Sequence, residues 1–433
     1  MPATAATPSK DFHRFWTCKA HVADITRFYC SGIGPLLLDG YSDDVKALLF
    51  ERQEGRYAAA AVASRVRPGA GAGIGPLRLA DIDEPDLPGD DWKRVTPTLT
   101  GICGSDLSTI DGHSSGYFDD LVSFPFVPGH EVVGVTEDDK RVVLEPVLGP
   151  EARGEAPAFK GAAPGDGADY GYLLAGDIDD GIQVGFCAST GGGWGEQFVA
   201  HKSQLHTVPK RLSDEDAVMM EPAAGGVHAA AKAAAGGMVD GGIVLVIGAG
   251  TMGLATIAAL RQYTNPATII AVAKYPIQKQ FAEALGADVV VAPSETSRAV
   301  RRATGSRMLG DNLSGGADVT IDCIGNANSI AQSVGVTRPR GRVVMVGMPG
   351  KVDVDLTALW HRETELVGAY TYGTDTWPDG TEISSFKRAK ELVGKAKLGR
   401  LVSAKYPISR YKDAIEHAAN AGQRGAIKVC FEF

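Results

Sequence analysis

Three things are scarce in this 433-residue chain: paired cysteines, long apolar runs and clustered positive charge. Six cysteines (Cys18, Cys30, Cys103, Cys187, Cys323, Cys430) are scattered, and no two of them form CxxC. That spacing excludes the commonest four-cysteine zinc modules and gives no disulfide framework, so free thiols are expected. No run approaches the roughly 18 apolar residues of a membrane helix. The opening MPATAATPSKDFHRFW lacks the basic-then-apolar order of a secretory signal, so a cytoplasmic protein without membrane contact is the expectation. The formal charge is −9 and Lys and Arg form no block, which argues against nucleic acid because phosphate binding needs clustered cations. Small molecules remain as partners.

What is present is the material of a globular protein, with 44% hydrophobic and 22% charged residues. The length favours two domains. No internal repeat of solenoid length occurs. Residues 1–43 show no sustained period and read as an N-terminal extension. From Val45 to about Val208, short β-type runs such as RVVLEPV and GEQFVAH alternate with turn-rich segments, which reads as a mainly β domain. From about Asp214, strands alternate with helical segments, the pattern of a parallel sheet covered by helices. That alternation ends after Tyr370, and RYKDAIEHAANAGQRGAIKVCFEF offers one helix and a last strand able to return to the first domain. The expected division is 1–43, then 44–213 with 372–433, then 214–371.

Gly248, Gly250 and Gly253 form GxGxxG directly after the apolar run Ile243 to Ile247 and directly before a helical segment, with Thr251 and Met252 between them. In that context the first glycine permits a tight turn, the second lets a pyrophosphate approach the backbone, and the third allows close helix packing. An NAD site usually carries an acid at the end of the second strand. Here Ala273 and Lys274 stand there. A small residue and a cation suit a 2′-phosphate, so NADP(H) is favoured over NAD(H).

Cys103 lies in GICGSD, His130 and Glu131 in PGHE, and Glu221 in MMEPAAGGVHAA. Singly, each is an ordinary structural residue. Together, and in this order ahead of GAGTMG, the motifs resemble the zinc-dependent medium-chain dehydrogenase/reductase family, particularly its threonine- and polyol-dehydrogenase-like branch. The resemblance runs from about Val45 onward. It implies an α/β protein with a GroES-like mainly β catalytic domain and a Rossmann doubly wound domain, the site lying between them. It also implies one catalytic zinc held by Cys103, His130 and Glu221, with Glu131 able to ligate or to stand behind the ligands. Ser105 would begin the proton relay, and the assembly would be a homodimer or homotetramer. Such a zinc keeps one position open for a substrate oxygen, which suits interconversion of a secondary alcohol and a ketone on a polar small molecule.

Two departures from the family pattern stand out. The stretch from about Pro150 to Tyr170 lacks the four cysteines of the family's structural zinc lobe, so no second zinc is expected. Ser108 occupies the place of a relay histidine, with His113 as a substitute. Tyr117, Phe118, Trp194 and Trp377 read equally as pocket, core or surface residues, so none is assigned to the site. Two other functions share this fold: a zinc-independent enone or quinone reductase using NADPH, and a non-catalytic nucleotide-binding protein.

Overall fold

Two sheets carry the described part of the molecule, residues 44–433 of the computed structural model. The expected extension over 1–43 lies outside it. The first sheet is built around strand Trp92–Gly101. That strand pairs antiparallel with Val132–Thr136, with Phe198–His201 and with the late strand Lys428–Glu432. Arg141–Leu144, Leu205–Thr207 and Val402–Pro407 complete the sheet. Pro97 cannot donate to a ladder, and the register shifts between Pro97 and Leu99. The tail therefore returns to the first half of the chain, with Cys430 opposite Gly101 and Phe431 opposite Thr100.

The second sheet has six parallel strands. Their order is Val289–Val291, Thr268–Val272, Ile243–Ile247, Ala317–Asp322, Thr337–Met345, Glu365–Gly368. Helices cover both faces of such a sheet, which is why IVLVI and TIIAV read as unbroken apolar runs. The order reverses beside Ile243–Ile247, the topological switch point at which nucleotides bind in this architecture. Gly248 follows that strand directly.

Helix Met220–Ala234 is almost wholly buried and rich in alanine and glycine. It packs so closely on helix Thr251–Tyr263 that a Cβ on Gly226 would stand 2.7 Å from the Ala255 carbonyl carbon. Small residues thus bring Glu221, near the start of the first helix, close to the glycine-rich turn that begins the second. No helix among the described residues is long and apolar enough to cross a membrane.

The β pattern of the first half is interrupted by helix Glu54–Ser64, whose alanine run favours helix over strand. Between Tyr370 and Tyr411 the structure adds helix Ser385–Ala396 and strand Val402–Pro407. The stretch from Pro150 to about Gly181 contains only short 3₁₀ turns. Its centre is Arg153, 3% exposed, which donates to the carbonyls of Ala175 (3.1 Å) and Gly181 (2.7 Å). Burial lowers the pKa of this guanidinium, and among the described residues no carboxylate bonds to it. Arg153→Ala is expected to destabilise the protein by about 2–4 kcal/mol in denaturant unfolding, through lost charge-assisted bonds and a cavity. A wild-type midpoint would show that the lobe is held by something else.

Candidate active site

Cys103 sits at the N-cap of helix Gly104–Ile110. Asp106, three residues on, closes a capping box: its Oδ2 accepts from Cys103 N at 2.9 Å, and its own N–H points back to the Cys103 side chain. The second oxygen of Asp106 faces His130 Nδ1 at 3.4 Å. Both atoms are buried and have no other hydrogen-bond partner among the described residues. On the other edge of the ring, His130 Nε2 lies 3.4 Å from Ser105 Oγ. Phe186 covers the imidazole, ring centroids 6.0 Å apart. Burial opposes a charge on His130, but the Asp106 carboxylate and the Cys103 thiol outweigh it and hold the imidazole well above its ordinary pKa.

Glu131 is 1% exposed, and Lys428 holds it through 2.6 and 2.7 Å contacts to its two oxygens. The third ammonium proton goes to the carbonyl of Ile102 at 3.2 Å. Although burial works against its charge, Lys428 is raised above its ordinary pKa by Glu131. Gly101 is required here, because a Cβ would stand 1.8 Å from Glu131 Oε2. Glu221 approaches from helix Met220–Ala234, and Tyr372 donates to its Oε1 at 3.2 Å. Burial pushes the Glu221 carboxyl up to about 7, His130 pulling it down and Glu131 pushing it up.

Cys103, Ser105 and His130 are thus brought together, and Glu221 lies within electrostatic reach of His130. Among the described residues, no three Cys, His, Asp or Glu side chains stand close enough as placed to hold a metal ion. The donors are nevertheless of the right kind for zinc: a thiol, an imidazole oriented from behind by a carboxylate, and a buried acid.

On the nucleotide side, Gly248 has φ +95°. A Cβ on Gly253 would stand 1.8 Å from the Gly248 oxygen, whereas one on Gly250 would meet nothing within 4 Å. The turn is therefore tight at its first and third glycines and open at its second, as a bound pyrophosphate requires. Thr251 Oγ1 donates to Ile427 O at 3.5 Å, and Met252 packs against Gly225. Ala273 is buried at the end of its strand, while the Lys274 ammonium is exposed, 5.3 Å from the Tyr275 ring centroid.

Other candidates fall elsewhere. His113 bonds to Ser64 Oγ at 2.9 Å, whereas the imidazole beside Ser105 Oγ is that of His130. Trp194 is a core residue whose Nε1 donates to Gly101 O, and Trp377 is buried beneath Arg388. Tyr117 is 75% exposed, its ring edge-on to Phe118. Three residues of the site escaped sequence reasoning: Asp106, Lys428 and Tyr372. Asp106 had a usable signal, since an acid three residues after a helix start is a capping position.

Residues 89–210 match the alcohol dehydrogenase GroES-like domain, and residues 251–385 match the zinc-binding dehydrogenase family. The chain is 30% identical over 366 residues to a sorbitol dehydrogenase of Arabidopsis thaliana, covering 83% of this chain and 93% of that one. It is 29% identical over 365 residues to an L-idonate 5-dehydrogenase of Vitis vinifera, covering 83% and 92%. The fold matches the crystal structure of 2R,3R-butanediol dehydrogenase from Bacillus subtilis with a TM-score of 0.63 at 22% identity, over 90% of this chain and 99% of that one. The chain belongs to the medium-chain alcohol dehydrogenase superfamily. It is an alcohol–ketone oxidoreductase of the zinc type, and its substrate is a small molecule. These relatives do not favour the enone-reductase or non-catalytic alternatives.

Removing one partner of a buried ion pair leaves the other charge stranded, at about 3–5 kcal/mol. Lys428→Met should therefore destabilise by that amount in denaturant unfolding. The double variant with Glu131→Gln should recover part of the loss. Equal stability of Lys428→Met and wild type would remove the pair from this account.

Proposed function

We propose that the protein oxidises a secondary alcohol on a polar small molecule, or reduces the matching ketone, with one catalytic zinc per chain and NADP(H) preferred. The observation that carries the metal is the charge balance of the pocket. Among the described residues, the cationic side chains that act on Cys103, Asp106, Glu131 and Glu221 are His130 and Lys428, and a carboxyl raised to about 7 by burial is an acid short of a counter-cation. Cys103, His130 and Glu221 would hold the zinc, with Glu131 kept beside them by Lys428.

Bound zinc would supply Lewis acidity at the substrate oxygen, and bound nicotinamide would accept or return the hydride. The chain's own contribution is placement. Asp106 orients the His130 ring and the start of the Cys103 helix. Ser105 Oγ, beside His130 Nε2, would accept a hydrogen bond from the substrate hydroxyl and begin the proton relay, releasing its own proton as it takes one. Gly248 to Gly253 and the helix beginning at Thr251 would receive the pyrophosphate. Ala273 puts no acid against a 2′-phosphate, and Lys274 offers a counter-charge.

We assign 44–213 with 372–433 to the GroES-like catalytic domain and 214–371 to the Rossmann domain. The family supports an assembly of two or four copies, and the acidic, thiol-containing composition supports a cytoplasmic location.

Metal analysis should find one zinc per chain, and chelation or Cys103→Ser should abolish both the metal and the activity. Protons compete for Glu221 and His130, whose pKa values are raised, so zinc affinity should fall as the pH drops through about 7, roughly tenfold per pH unit for each proton displaced. Chelator competition between pH 6 and 8 reads this, and a flat profile would contradict the ligand set. Lys274→Glu should lower the kcat/KM ratio of NADPH to NADH by about tenfold or more. A wild-type preference for NADH would overturn the cofactor assignment.

A further inference from the structure

The lobe without cysteines does more than fill a gap, because it is clamped to the segment that positions Glu221. A Cβ on Gly165 would stand 2.3 Å from the Tyr372 carbonyl oxygen. Asp166 Oδ1 accepts from Thr374 N at 2.7 Å, and Asp166 Oδ2 accepts from Ala163 N at 2.7 Å. A Cβ on Gly373 would lie 2.4 Å from Asp166 Oδ1. Tyr372, held in this way, donates to Glu221.

Immediately after the clamp the lobe presents two tyrosines. Tyr170 and Tyr172 have ring centroids 6.4 Å apart at an interplanar angle of 65°, and Asp169 Oδ1 fixes the turn between them by accepting from Gly171 N. Both phenols act electrostatically on Tyr370, as does Glu221. The exposure of these four tyrosines rises from 2% at Tyr372, which bonds to Glu221, through half-buried Tyr172 to 55% at Tyr370 and 65% at Tyr170.

The charge around this wall is one-sided. Residues 161–188 contain no lysine or arginine and five aspartates, at 166, 169, 177, 179 and 180. Arg153, the nearby cation, is occupied by backbone carbonyls. Such a surface repels a phosphate ester and accepts a neutral molecule. Aromatic faces carry partial negative charge and attract C–H groups, while phenols exchange hydrogen bonds with hydroxyls. A polyhydroxylated ring satisfies both, whereas a short diol reaches only the inner end.

Building on the dehydrogenase reading above, we propose that Tyr170, Tyr172 and Tyr370 form an outer subsite of the substrate cleft that stacks the ring of a neutral cyclic polyol. The hydroxyl to be oxidised then points inward toward Glu221. The lobe that lacks the structural-zinc cysteines thus serves as a specificity element.

Each aromatic contact is worth about 0.5–1.5 kcal/mol, or roughly 2–12-fold in affinity. The zinc-loaded enzyme should be assayed on inositols, methyl pyranosides, sorbitol, a polyol phosphate and 2,3-butanediol. Ring polyols should lead the panel. The double variant Tyr170→Ala with Tyr172→Ala should lower the ratio of kcat/KM for the best ring polyol to that for 2,3-butanediol about tenfold, through KM, with unchanged mass on size exclusion. Preference for the phosphate ester or an open-chain substrate, an unchanged ratio, or an altered oligomer would overturn the subsite. If wild type oxidises none of these alcohols, the dehydrogenase reading fails instead. Saturation-transfer NMR with methyl glucopyranoside then decides the subsite on its own: transfer in wild type that is lost in the double variant upholds it, and its absence in wild type overturns it.

Discussion

Everything at the centre of this molecule hangs on the ammonium group of Lys428. Its contacts reach both oxygens of Glu131, the residue after His130, and the carbonyl of Ile102, the residue before Cys103. One side chain thus locks together two candidate ligand positions and the strand Lys428–Glu432 on which it sits. Burying such a pair costs nearly as much as its attraction returns. Its value is therefore positional: it fixes where the thiol and the imidazole stand. Gly101 complements it by leaving room for the carboxylate, and Trp194 seals the same point by bonding to the Gly101 carbonyl.

Much of the fold was legible because its signals are local. IVLVIGAGTMG contains its own strand, turn and helix start, and the structure reproduces them with the expected tight and open glycines. The return of the tail to the first sheet was legible from the end of the alternation and the last apolar run. Lys428 was not, since nothing around it in GAIKVCFEF distinguishes a buried cation from a surface lysine. Its partner lies 297 positions away. Tyr372 was hidden for the same reason, and Trp194 and Trp377 show that an aromatic residue in a glycine-rich segment is as readily core as pocket. Asp106 was within reach, because capping chemistry is local.

Three residues now have a division of labour that sequence spacing alone could not assign. Asp106 and Lys428 hold the candidate ligands His130 and Cys103 and the neighbouring Glu131, whereas Tyr372 works from the segment that meets the lobe. Each of His130, Glu131 and Glu221 is thereby touched by a group that belongs to a different chain segment. A shift in any one segment is felt at the site, and helix Met220–Ala234 is too tightly packed to absorb it.

The long separation between Glu131 and Lys428 has a consequence for how the protein is made. Chains fold as they emerge, earlier parts first. The parallel sheet can complete itself from consecutive strands during synthesis, but the sheet that carries Cys103 and His130 must wait for a strand encoded some three hundred residues later. Until then Glu131 has no counter-charge and Trp92–Gly101 keeps an open edge. On that order the parallel sheet that carries Gly248 closes before the sheet that carries Cys103 and His130, and the newborn chain has its glycine-rich turn in place while its thiol and imidazole still wait for their support.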